Sequence, residues 1–246
     1  MKLYLSSYRL GNFSEELIKL VGIPQAKVAI ISNAVDWSTD TKRIEESINS
    51  EFKDMKSLGF KPTLLDLRDY FDKPGLTEYL SGFDMVWVRG GNAFILVKAM
   101  KQSGFDDVIE KLIKPGKLVY AGYSAAFCAV SPSLRGVELV DDVNAKAKGY
   151  KDFDVWEGYG LIDFYPIVHF RSDHPESADV EKVYDYVKGK GMKLKTFSDG
   201  DAYIVNGDSE KVFSRNIPHT SISTESQAKI LWALVVIASS IVASQA

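Results

Sequence analysis

A serine set among small residues, Gly122-Tyr123-Ser124-Ala125-Ala126, is the pattern in this chain best suited to covalent chemistry. It follows the apolar run Lys117-Leu118-Val119-Tyr120-Ala121 and leads into Phe127-Cys128-Ala129-Val130. A serine at a tight strand-to-helix turn has its hydroxyl raised at the carboxyl end of a sheet, and its neighbours must be small. The last position is alanine rather than glycine, which works only if the backbone there avoids positive φ. The same pentapeptide also suits a plain strand–turn–helix with a serine N-cap. A serine nucleophile needs a base, because its hydroxyl is a poor nucleophile at neutral pH. Of the three histidines, His169 ends a strand-like run and is best placed, His174 reads as a solvated loop residue, and His219 lies near the C-terminal tail. The base needs an acid to fix its tautomer. Asp199, before Gly200, is the first candidate, and Asp141 and Asp142 are the second. The oxyanion needs backbone N–H donors. Ala125 supplies one by position, and the turn Arg89-Gly90-Gly91-Asn92 offers another.

The elements that must position these groups alternate. Strands are expected at Lys2–Ser6, Lys27–Ser32, Lys61–Asp66, Met85–Val88 and Leu118–Tyr120, with helices at Ser14–Val21, Asp40–Leu58, Lys73–Leu80, Ala93–Gln102 and Phe105–Ile113. In Asp40–Leu58 the residues Ile44, Ile48, Phe52 and Met55 recur at helical spacing. This βα alternation predicts a mainly parallel sheet with helices on both faces, with ligands at the carboxyl ends of the strands. Later, Val137–Val140, Val155–Gly160, Ile167–His169 and Ala202–Val205 resemble strands and Asp179–Lys188 a helix. Gly207-Asp208 reads as a hairpin turn.

The 246 residues carry a net charge of −3, which argues against a nucleic-acid surface. The lone cysteine, Cys128, suits a reducing cytoplasm and reads as buried filler. Met1–Ser7 reads as a first strand rather than a signal peptide. The pattern indicates a domain over residues 1–218 and an apolar appendage over 219–246. Residues 230–246 lie at the lower length limit for a membrane span, so membrane contact depends on that segment inserting. Monomer and homodimer are both open.

Four motifs taken together resemble the peptidase E (dipeptidase E, aspartyl dipeptidase) family of serine peptidases. They are Val88-Arg89-Gly90-Gly91-Asn92-Ala93-Phe94, Ala121-Gly122-Tyr123-Ser124-Ala125-Ala126, Ser131-Pro132 and Ile167-Val168-His169-Phe170. The resemblance runs from about Lys2 to Phe213. It implies a class I glutamine-amidotransferase-like, three-layer α/β/α sandwich (flavodoxin-like), with serine replacing a cysteine nucleophile. It implies Ser124 as nucleophile, His169 as base and Asp199 as acid, with Glu138 and Asp141 in reserve. Gly91 and Ala125 become the oxyanion pair. The implied substrate is a short peptide, with N-terminal aspartate as one choice, and no metal or cofactor is called for. An aspartate side chain would need a cation, for which Arg171 and Arg135 are candidates, with Asn92 as a further substrate-binding residue. Ala126, where the family has glycine, and Ile167-Val168, where it has Asn-Pro, depart from the pattern. The alternative reading is a binding module that keeps the pocket without the chemistry.

Overall fold

Four runs of the chain are apolar at nearly every position, and this is the pattern of strands covered on both faces. The computed structural model describes residues 1–214 and places these runs at the centre of one sheet. Along the chain lie β1 (Lys2–Ser6), α1 (Ser14–Val21), β2 (Lys27–Ile31), α2 (Thr41–Ser57), β3 (Lys61–Leu65), α3 (Leu76–Leu80), β4 (Met85–Val88), α4 (Ala93–Gln102), α5 (Phe105–Val108), β5 (Val119–Tyr123) and α6 (Ala125–Ala129). Then follow β6 (Tyr165–Ile167), α7 (Ser177–Gly189), β7 (Leu194–Thr196), β8 (Ala202–Asn206) and β9 (Ser209–Phe213). The sheet order is β3-β2-β4-β5-β1-β8-β9, and β6 pairs with β7 in a separate parallel pair. Strands β1 to β5 are mutually parallel, while β8 and β9 close the edge antiparallel.

Period-two alternation splits the buried residues between two faces. Leu3, Leu5, Val86, Val88 and Tyr120 pack with α4, α6 and α7. Tyr4, Val28, Ile30, Trp87 and Tyr123 pack with Leu17 and Leu20 of α1 and Met55 of α2. This is the three-layer α/β/α sandwich expected. Each such side chain, fully buried, is worth about 1.5–3 kcal/mol relative to exposure. Helix α2 opens on an Asp40 cap that accepts from the Arg43 amide at 3.0 Å. Its fully buried residues are Glu51 and Met55, while Ile44 and Ile48 are only half-buried.

Three expected strands differ. Val137–Leu139 is a 3₁₀ turn introduced by Gly136 at φ 105°. Val155–Gly160 forms no ladder. Its groups make single bonds to the chain after α6 instead: the Leu134 amide donates to the Trp156 carbonyl, and the Tyr159 and Gly160 amides to the Ala129 and Ser131 carbonyls. The strand ending at His169 stops at Ile167, and the chain turns at His169 with φ 56°. The hairpin at Gly207 is present, with φ 63° there. The 219–246 appendage and His219 lie outside the described residues. Among those described, no helix is long and apolar enough to cross a membrane.

Adjacent parallel strands β4, β5 and β1 end on one edge of the sheet. The turns that follow them hold Gly90-Gly91, Ser124 and Ser7. Three loops of quite different sequence therefore meet at one place.

Candidate active site

Ser124 is the sharp point of the turn between β5 and α6, with φ 54° and ψ −112°. For a residue with a side chain this is an uncommon backbone state, and it costs on the order of 1–3 kcal/mol. The turn closes because its neighbours lack bulk. A Cβ on Gly122 would sit 2.7 Å from the Ala126 Cβ, and one on Gly90 would sit 2.9 Å from the Ser124 Cβ. Ala126 is tolerated because it lies inside α6, where φ is negative; the positive φ falls on Ser124 instead. Buried Glu51 braces the turn from below, accepting from the Tyr123 hydroxyl at 2.6 Å and from Trp87 Nε1 at 2.7 Å.

The histidine and the acid arrive together. Parallel pairing of β6 with β7 sets Ile167 beside Thr196. The Phe197 amide then donates to the Ile167 carbonyl at 2.8 Å, and the Phe170 amide to the Phe197 carbonyl at 3.0 Å. His169 thereby lies alongside the 197–199 turn. That turn is fixed to the main sheet because β8 starts with Ala202 opposite Ser6, the last residue of β1.

The three side chains form one hydrogen-bonded chain. Ser124 Oγ is 3.1 Å from His169 Nε2, and His169 Nδ1 is 2.7 Å from Asp199 Oδ1. A carboxylate can only accept, so Nδ1 carries the proton and Nε2 is free to accept from Ser124. His169 is 2% exposed, so water does not compete for its ring. The Asp199 carboxyl is held below its usual range. Burial alone would raise it, and hydrogen bonds from His169 and Ser7 outweigh that effect.

Two neighbours have no signal in the sequence reading. Ser7 Oγ accepts from the His169 amide at 2.8 Å and donates to Asp199 Oδ1 at 3.0 Å, tying base and acid to the end of β1. Its only advance sign is its position just past a buried strand. His174, expected in solvent, stacks flat on His169 with centroids 3.8 Å apart and 8° between planes. Tyr8 meets both rings edge-on, at 5.9 and 5.5 Å. Burial and the facing His169 hold His174 below its ordinary value, favouring the neutral ring. His169, His174 and Glu176 also bring one ligand-capable atom each within 4.8 Å of one another, a grouping the sequence spacing did not suggest. Two flat-stacked imidazoles do not converge in-plane on one ion, and both ring nitrogens of His169 are already engaged.

The remaining expected residues divide. Gly91 is exposed at the turn packed against Ser124, with φ 144°, and Ala125 opens α6. Asn92 is committed elsewhere: its Oδ1 accepts from the Ile95 amide at 3.0 Å and its Nδ2 donates to the Asp142 carbonyl at 2.8 Å. It caps α4 and ties that cap to the 141–142 turn. Arg171 pairs with Glu181 at 3.0 Å, and Arg135 lies over the Trp156 ring. Glu138 accepts from the Gly136 amide, away from His169. Burial pushes the Cys128 thiol far up, as suits buried filler.

A cavity opens beside Ser124 and His169, lined by Val137, Val140, Asp141, Tyr165, Glu176 and Val180 among others. Neither Arg171 nor Arg135 lines it. Asp141 Oδ2 accepts from the Ala93 amide at 2.7 Å, yet burial pushes its carboxyl up to about 7. In the unfolded chain the group returns to about 3.9. The folded state therefore holds the extra proton between these values, and stability falls as pH rises through that window. Asp141→Asn removes this dependence. Its stability relative to the parent should improve from pH 5 to pH 8 in paired melting curves; a constant difference would contradict the assignment.

Comparisons with known proteins agree with this architecture. The profile of Peptidase family S51 matches residues 5–213. An uncharacterized peptidase of Listeria innocua is 30% identical over 125 residues, 51% of this chain and 56% of that protein. A peptidase E of Streptomyces coelicolor is 25% identical over 149 residues, 58% of each chain. The matched stretch thus spans little more than half of these relatives. Among solved structures, a Listeria monocytogenes protein assigned to peptidase E superposes with a TM-score of 0.69 at 23% identity, covering 86% of this chain and 97% of that one. A peptidase from an acI-B1 Actinobacterium gives 0.63 at 16% identity, covering 87% of each. At these identities the superpositions speak for the fold.

Proposed function

The chain belongs to peptidase family S51, and from that premise we propose that it is a serine peptidase acting on short peptides through an acyl-enzyme. Ser124 Oγ attacks the scissile carbonyl as its proton passes to His169 Nε2. Asp199 holds the imidazolium, and the amides of Gly91 and Ala125 receive the oxyanion. The C–N bond then breaks and His169 gives its proton to the leaving amine. Water, deprotonated by His169, cleaves the ester and restores Ser124. The observation that carries this reading is the continuous Ser124–His169–Asp199 chain at 3.1 and 2.7 Å.

The oriented relay favours chemistry over a mere binding module. A site that only binds has no need of an acid-held imidazole with its free nitrogen 3.1 Å from a serine hydroxyl. Aspartyl specificity would rest on a lysine or arginine, and none lines the cavity beside Ser124. The test is a hydrolysis screen over di- and tripeptides that vary the first residue, following release of free amine. Turnover of short peptides supports the reading; no cleavage of any, by folded protein, overturns it.

A further inference from the structure

The walls of the cavity beside Ser124 are mostly apolar, yet two carboxylates, Asp141 and Glu176, face into it without a lysine or arginine among its lining residues. Asp141 is explained only in part by structure. Its Oδ2 caps α4 through the Ala93 amide, while its Oδ1 accepts no hydrogen bond from the described residues. Glu176, half-buried, has His174 at 3.9 Å, and that ring is held towards its neutral form. One polar group in the lining is both buried and unsatisfied. Tyr165 is 2% exposed, and its hydroxyl has no partner among the described residues. A buried polar group left unpaired is costly, so the hydroxyl favours a partner.

We propose that this cavity receives an ammonium group carried by the substrate residue next to the scissile bond, either a free N-terminal α-ammonium or a lysine side chain. An ammonium offers three donors and one positive charge. Asp141 Oδ1, Glu176 and the Tyr165 hydroxyl are the matching acceptors, and the valine walls suit an aliphatic stem. An acidic side chain here meets two carboxyl groups and no lysine or arginine, so the site selects against the aspartyl group that the wider resemblance implies. The rise of the Asp141 carboxyl to about 7 agrees, because it comes from burial, and a cation beside it would offset that cost. This inference rests on the peptidase reading above, and its test uses binding so that the two can fail separately.

The test is calorimetric titration of the full chain with four amides. Nα-acetyl-lysine amide carries only the side-chain ammonium and norleucine amide only the α-ammonium. Nα-acetyl-norleucine amide carries neither, and Nα-acetyl-glutamate amide is anionic. At least one ammonium compound should bind tenfold or more tightly than Nα-acetyl-norleucine amide, with the glutamate amide weakest; which one does so identifies the source. Asp141→Asn should reduce that preference at least fivefold while the protein still melts cooperatively. Glu176→Gln, on a more exposed residue, serves the same purpose if the first variant does not fold. Equal binding of the charged and neutral amides, or a preference that survives both substitutions, would overturn the proposal. A protein that binds the ammonium compounds but cleaves nothing would retain this site and lose the peptidase reading.

Discussion

Ser124→Ala is expected to reduce peptide hydrolysis by about 10⁴-fold or more while the protein folds as before. The substitution removes one hydroxyl from a residue whose own backbone strain is unchanged, because alanine carries the same Cβ. Only His169 Nε2 loses a partner, while Nδ1 keeps its bond to Asp199 at 2.7 Å. The loss should therefore lie in kcat, with the melting temperature near that of the parent. Full turnover in purified Ser124→Ala protein would remove this serine from the chemistry.

Asp199→Asn should cost about 10⁴-fold through the tautomer rather than through the charge alone. An amide can donate to His169 Nδ1, which transfers the ring proton to Nε2. A protonated Nε2 points a donor at Ser124 Oγ, 3.1 Å away, and cannot take its proton. The Asp199 carboxylate is also the acceptor of the Ser7 hydroxyl at 3.0 Å, so the variant loosens the tie to β1. KM should change little and kcat should carry the loss. A variant within tenfold of the parent would mean that another group orients His169.

The legible parts of this chain were those in which one local pattern implies one structure. The runs Lys27–Ile31 and Met85–Val88 read as buried strands because both faces are covered. Gly122-Tyr123-Ser124 read as a turn because only small residues close it. His169 was identifiable at the end of a strand-like run and Asp199 at a turn before one, although the sequence alone could not bring them within 2.7 Å. That distance depends on β6 pairing in parallel with β7, a contact with no local signature. Ser7 and His174 were missed for the same reason: a serine after a strand and a histidine before Pro175 look ordinary until three loops meet. The misread segment Val155–Gly160 shows the reverse failure. Its apolar and aromatic residues suit a strand, but its backbone is used one bond at a time to hold the chain after α6. The arginines expected at the substrate do not line the cavity, because charge says nothing of address: Arg171 pairs with Glu181 and Arg135 lies over the Trp156 ring.

The central claim is that folding makes one hydroxyl nucleophilic by setting an oriented imidazole 3.1 Å from it. Reaction with a fluorophosphonate, followed by peptide mapping, measures this without assuming any substrate. The account predicts one adduct per chain, on Ser124, forming at least a hundredfold more slowly in His169→Ala. An intact, folded protein that gains no adduct at Ser124, or gains it equally fast without His169, would contradict it.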